Sequence, residues 1–138
     1  MTDLKAFQFS VPIQIRYGDL DVLAHVNNVM YFSYMETARL EYARQILGWD
    51  GKRGNLGVIV AKATCDFLLP LVYGDAIRVF VRASRLGNKS FDYEYAIVRD
   101  SDQAIVATGL SVQVCYDYTT DSSIPLPEEW RQKMLVVP

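Results

Sequence analysis

From Phe7 to Tyr17 (FQFSVPIQIRY) apolar and other residues alternate. Phe7, Phe9, Val11, Ile13 and Ile15 share one face of an extended chain, the period-two signature of a half-buried strand. Pro12 has no amide hydrogen for a ladder, so this strand is expected at a sheet edge or a bulge. A polar, turn-rich stretch follows from Gly18 to Asn28 (GDLDVLAHVNN) and ends in two asparagines suited to capping a helix. From Val29 to Leu47 (VMYFSYMETARLEYARQIL) the spacing becomes helical, and Gly48 is placed to stop it. At about 100° per residue, Ala38, Tyr31, Tyr42, Met35, Ile46, Phe32, Ala43, Val29, Leu47 and Leu40 fill a broad apolar face. Ser33, Arg44, Thr37, Glu41 and Gln45 lie opposite. Two charged residues, Glu36 and Arg39, fall inside the apolar face.

Beyond a loop at Trp49 to Leu56, the chain reads as successive strands. Gly57 to Leu69 is rich in apolar and β-branched residues. Ala76 to Leu86 alternates Ile77, Val79, Val81 and Ala83. Gly87-Asn88-Lys89 signals a hairpin turn. Ser90 to Arg99 alternates Phe91, Tyr93, Tyr95 and Ile97. Gln103 to Tyr118 carries the last long strand, with Ala104 and Val106, then Val112, Val114 and Tyr116 as its alternating apolar positions. Pro125 to Met134 reads as a short helix with Pro127 near its start and acids in the first turn. One strand, one long helix, four strands and a short helix predict an α+β fold. Its five-stranded antiparallel sheet packs on one amphipathic helix. A single domain over residues 1–138 is expected, without internal repeats.

Composition narrows the function classes. The chain has 138 residues and a formal charge of −2, and no basic tract, so nucleic-acid binding is not expected. It holds one histidine, His25, which excludes any site with two His ligands from one chain, and no metal is expected. Cys65 and Cys115 match neither a metal motif nor a disulfide framework, which suits a reducing, cytoplasmic setting. Met1 to Arg16 lacks an apolar signal-peptide core, and the longest apolar run is far short of the ~20 residues of a membrane helix. Neither secretion nor membrane insertion is expected.

The chemistry concentrates between Arg16 and Arg39 (RYGDLDVLAHVNNVMYFSYMETAR). Asp19, Asp21, His25, Asn27 and Asn28 crowd into the turn before the helix, where free amides and the helix dipole favour a developing negative charge. An oxyanion hole needs those parts. Rival motifs fail: a calcium loop lacks its later acids. Gly109-Leu110-Ser111-Val112-Gln113 lacks the final glycine of a nucleophile elbow and the helix after it.

The block Arg16-Tyr17-Gly18-Asp19-Leu20-Asp21, His25-Val26-Asn27-Asn28, Tyr31 and Glu36-Thr37-Ala38-Arg39 resembles the hotdog-fold acyl-CoA thioesterases. The likeness is to the 4-hydroxybenzoyl-CoA thioesterase-like branch, which includes bacterial long-chain acyl-CoA thioesterases. The turn Asn88-Lys89-Ser90-Phe91 is also similar to that family. The resemblance implies a hotdog fold, the sheet wrapped around the long helix. It also implies hydrolysis of an acyl-CoA to a free acid and CoA, with no cofactor. Asp21, the second acid of the pair, would be nucleophile or general base. Backbone amides near Asn28 and Val29 would hold the thioester oxygen. Where His25, Asn27 and Asn28 stand, the family's aromatic-substrate member has other residues, so hydroxybenzoyl specificity does not carry over.

Each site residue also has a structural reading. Asp19 is expected to bond loop amides. His25 either orients substrate or water or is a satisfied loop histidine. Asn27 and Asn28 cap the helix and so frame the oxyanion site. Tyr31 is carried as a substrate-lining residue, though it also suits the core. Glu36 and Arg39 are expected to pair, since burying either alone would cost several kcal/mol, and Glu36 is the reserve catalytic acid. Arg82, Arg85, Lys89 and Arg99, with Ser90, either form a solvated hairpin or clamp the CoA phosphates. The resemblance implies that two chains pair their sheets and share the sites, in a homodimer or homotetramer. Rival functions are a hotdog enoyl-thioester hydratase or dehydratase and a non-catalytic acyl-thioester binding protein.

Overall fold

The computed structural model describes residues 2–138. Strand β1 (Ser10–Gln14) is followed by helix α1 (Asn28–Gln45). Then come β2 (Leu56–Phe67), β3 (Ala76–Leu86), β4 (Ser90–Arg99) and β5 (Ala104–Asp117). A two-residue strand β6 (Ser122–Ser123) and helix α2 (Glu128–Val136) complete the chain. The sheet runs β1-β3-β4-β5-β2, with every neighbouring pair antiparallel. Strand β6, absent from the five-strand expectation, folds back onto the last two residues of β5. Helix α1 touches both edge strands, β1 and β2, as well as β3, so the sheet wraps it in the expected hotdog arrangement.

Pro12 sits where its chemistry demands, on edge strand β1, where a missing amide hydrogen breaks no outer ladder. Asn27 caps α1, its side-chain oxygen accepting the Val29 amide at 3.1 Å. The helix ends at Gln45, two residues before the expected Leu47, and the chain turns through a left-handed Gly48 (φ +80°). There the Trp49 amide reaches back to the Ala43 carbonyl at 3.0 Å. Helix α2 closes this end of α1: the Tyr42 hydroxyl donates to the Val137 carbonyl, and the Arg131 guanidinium to the Gly87 carbonyl at 2.6 Å.

The core lies between α1 and the inner sheet face. Tyr31, Tyr34, Met35, Ala38 and Tyr42 are buried against Ile77, Val79, Val81, Phe91, Tyr93, Tyr95 and Ile97. Tyr42, Phe9 and Tyr93 meet edge to face, a geometry that suits the ring quadrupoles. Gly109 on β5 lets the helix come this close, because an added Cβ would strike the Met35 sulfur and the Thr64 carbonyl.

Two expectations about faces need correction. The apolar face of α1 is wider than the core: Val29, Phe32 and Leu40 stay exposed, while Tyr34 is buried. On β5 the inward residues are Ser111, Gln113 and Cys115, not Val112, Val114 and Tyr116, which are only half-buried. The cause is a bulge. Ile97 pairs with Ala107 but Val98 pairs with Ile105, so Val106 is the extra residue, and the alternation changes face there.

Edge strand β2 is the least covered element. Leu56, Val58, Ile59, Val60 and Phe67 are all exposed, and its outer edge pairs with no other strand among the described residues.

Candidate active site

The two acids of the Asp19–Asp21 pair have separate tasks. The Asp19 side chain is buried at 2% exposure. Its carboxylate accepts the Arg16 amide (3.0 Å), the Arg16 guanidinium (3.1 Å) and the Tyr34 hydroxyl (2.8 Å). Its own carbonyl accepts the Asn27 amide at 2.9 Å, which ties the loop to the helix cap. Burial by itself would raise the Asp19 pKa. The Arg16 amide, the Tyr34 hydroxyl and the Arg16 charge outweigh it and hold the carboxyl below its ordinary value. Conversely, burial and the Asp19 charge push the Tyr34 phenol up, so it stays a donor. Tyr34 is the partner that sequence reading missed. Its only signal is its place one turn before Ala38 on the helix.

Asp21 is exposed. One carboxylate oxygen accepts the Leu23 amide at 2.9 Å, an Asx turn that fixes the side chain's direction. The turn closes through the Asp21 amide on the His25 carbonyl (2.8 Å) and the Ala24 amide on the Asp21 carbonyl (3.0 Å). Ala24 takes the left-handed conformation at φ +61°. The Val26 amide on the Leu71 carbonyl (2.8 Å) anchors the far side to the segment before β3. His25 is exposed beside this bridge. The turn thus ends two residues before the Asn27 cap. It holds the Asp21 carboxylate in the turn that leads into the N-terminus, the positive end, of an eighteen-residue helix. The Asn28 amide, first in that helix, has no intrahelical acceptor, whereas the Val29 amide is engaged by Asn27.

Other sequence-chosen residues lie elsewhere. Tyr31 is buried, its hydroxyl donating to the Leu69 carbonyl at 3.2 Å. Glu36 sits eight residues into the helix, about 12 Å along its axis from Asn28, and pairs loosely with Arg39 at 3.4 Å. Around the hairpin, Arg85 holds Asp92 with two bonds (2.9 and 2.7 Å) and the Ser90 hydroxyl with a third (3.0 Å). Arg82 and Arg99 are paired with Glu94 and Asp102. Lys89 is exposed and has no ion pair among the described residues. Ser111 is buried in mid-strand, bonded to the Tyr95 hydroxyl and Gln113, which agrees with rejecting a nucleophile elbow there.

Two cavities flank α1. One of about 300 Å³ runs under Val29, Phe32, Ser33 and Glu36, with β2 and β5 as its other wall, and ends at Arg39. The second, about 500 Å³, is also lined by Arg39 and lies among Trp49, Tyr118 and Trp130.

The sequence model of the thioesterase-like superfamily matches residues 15–134. The chain belongs to the thioesterase-like superfamily. Within it, the long-chain acyl-CoA thioesterase FadM of Escherichia coli is 27% identical over 132 residues, covering 88% of this chain and 93% of that protein. The 1,4-dihydroxy-2-naphthoyl-CoA hydrolase of Synechococcus elongatus is 26% identical over 129 residues, covering 86% and 90%. A solved thioesterase from Thermus thermophilus, complexed with coenzyme A and Zn, superimposes with a TM-score of 0.84 at 32% identity. It covers 96% of each chain. The expected class, a thioester hydrolase, follows from this membership. Among the described residues no helix is long and apolar enough to cross a membrane, and no three His, Cys, Asp or Glu side chains gather as a metal site.

Proposed function

We propose that this thioester hydrolase acts on acyl-CoA and that Asp21 is its reacting carboxylate. The observation that carries the reading is the fixed yet exposed Asp21 carboxylate, with one oxygen on the Leu23 amide, in the turn that leads into α1. The other oxygen faces substrate. It either removes a proton from water as water adds to the thioester carbonyl, or adds to the carbonyl itself, giving an anhydride that water then opens. In both routes the carbon–sulfur bond breaks, the sulfur leaves as CoA thiolate and takes up a proton, and the acid is released. The Asn28 amide and the helix dipole stabilise the oxyanion. The His25 imidazole, on the same turn, orients the attacking water. Thiolate is a good leaving group, so the route as written calls on no cofactor or metal.

Naming acyl-CoA rests on the relatives, whose substrates are acyl-CoA thioesters. Lys89 is the hairpin cation left for the CoA phosphates, since Asp92 already neutralises Arg85. The uncovered apolar β2 supports a homodimer in which two such edges meet, with a tetramer as its doubling. Two free cysteines, whose thiols burial pushes up to about 11, support a reducing compartment such as the cytoplasm.

The test is thiol release from a panel of acyl-CoAs by the wild type and Asp21→Asn. Asp21→Asn should lose roughly a hundredfold or more in kcat, with an unchanged circular dichroism spectrum. Near-wild-type release by a folded Asp21→Asn protein would sink the assignment. Loss of enoyl absorbance without thiol would point to hydration instead.

A further inference from the structure

We propose that Arg39 is a specificity-determining residue that reads the far end of the acyl group, and that the substrates are acyl thioesters bearing a hydroxyl or carboxylate there. The inference rests on the acyl-CoA reading above.

The smaller cavity starts at Val29, one residue past the first helical amide, and follows one stripe of α1 through Phe32, Ser33 and Glu36 to Arg39. Ten residues of helix make that path roughly 15 Å long. Val29 and Phe32 make one end of that stripe apolar, and Glu36 and Arg39 make the other charged. At the end Arg39 meets Tyr95 and Ser111, whose hydroxyls are 2.6 Å apart. Ser111 in turn bonds Gln113, which donates to the Phe91 carbonyl at 3.2 Å. Burial raises the Tyr95 hydroxyl, while its Ser111 hydrogen bond and the charge of Arg39, which lines the same cavity, pull it down.

The Arg39 side chain is only 16% exposed, yet its carboxylate partner is a single Glu36 oxygen at 3.4 Å on a side chain 58% exposed. More exposed arginines in this chain do better: Arg85 grips Asp92 with two bonds, the shorter 2.7 Å, at 47% exposure. A mostly buried guanidinium with five donors favours a close, two-pronged oxygen partner. Glu36, turned toward solvent, supplies only a distant one. An acyl group with an apolar stem and an oxygen-bearing end supplies the rest: the stem lies under Val29 and Phe32, and the end meets the Arg39 guanidinium.

The experiment measures kcat/KM for lauroyl-CoA and for its ω-hydroxy and ω-carboxy counterparts, with wild type, Arg39→Met and Arg39→Lys. The wild type should favour at least one oxygenated substrate by about tenfold to a hundredfold, the range of a hydrogen bond to a charged group. Arg39→Met should bring that ratio to about one. Arg39→Lys, which keeps the charge but not the fork, should fall between. Should Arg39→Met fail to fold, the wild-type and Arg39→Lys ratios decide alone. Equal rates for all three substrates in the wild type overturn the proposal, as does a preference that survives in Arg39→Met. If no acyl-CoA is hydrolysed at all, the acyl-CoA reading fails separately. Calorimetric Kd values for the same three compounds then test Arg39, with the same tenfold preference expected and equal affinities refuting it.

Discussion

Replacing Asp19 by alanine removes three acceptor contacts at once, those to the Arg16 amide, the Arg16 guanidinium and the Tyr34 hydroxyl. Their losses are unequal. The Arg16 side chain is 73% exposed and rehydrates, so its ion pair contributes little. The Tyr34 hydroxyl is buried and would be left without its acceptor, at about 1–3 kcal/mol, and losing the charge-assisted amide bond adds about 1–2 kcal/mol. The expected destabilisation is therefore about 2–5 kcal/mol at neutral pH, read by urea unfolding of both proteins.

The pH dependence of that difference is the sharper part of the prediction. The Asp19 pKa is lower folded than unfolded, so the unfolded chain binds more protons in the window between the two values. Stability therefore rises with pH there. The contribution is fully present above the unfolded value near ~3.9 and is lost as pH falls through the lower folded value. The gap between wild type and Asp19→Ala should narrow on acidification below about pH 4. A gap below ~1 kcal/mol at neutral pH, or one unchanged in acid, would refute the anchoring role of Asp19.

Gly109→Ala should destabilise by about 1–3 kcal/mol through overpacking, seen as a lowered Tm, because Met35 and the Thr64 backbone occupy the space; a neutral effect would mean that α1 can lift off β5 freely. Asn27→Ala should lose about 1 kcal/mol of stability as the cap on the Val29 amide disappears, and thiol-release assays should show a lower kcat as well. If the proposed homodimer forms through the uncovered strand, Ile59→Lys should shift sedimentation from dimer to monomer; an unchanged sedimentation coefficient would refute that contact.

Much of this was legible because local chemistry and fold agree. The alternation at Ile77–Ala83 and Phe91–Ile97 gave β3 and β4 their observed limits and inner faces. Asn27 capped the helix as its residue type implies, and the anchoring task of Asp19 could be anticipated from its place in a turn. What failed did so for non-local reasons. One unpaired residue, Val106, turned β5 over, so apolar Val112 and Val114 faced outward while Ser111 and Gln113 went in. No period-two count along β5 alone marks that bulge, because it is defined by pairing with β4. Likewise the basic hairpin suggested a phosphate clamp. Across the β3–β4 ladder, however, Arg82 and Arg85 face Glu94 and Asp92 and are mostly consumed. Tyr34 lacked a visible partner because Asp19 lies fifteen residues earlier.

The bareness of β2 has a consequence for handling the protein. A twelve-residue strand with Leu56, Val58, Ile59, Val60 and Phe67 exposed and one side open would be covered by a second copy in the homodimer proposed above. In that proposed homodimer, stability depends on mass action. Diluting the protein should lower its Tm together with its specific activity. At the low concentrations of a coupled assay, the enzyme would lose turnover by coming apart before any catalytic group is impaired.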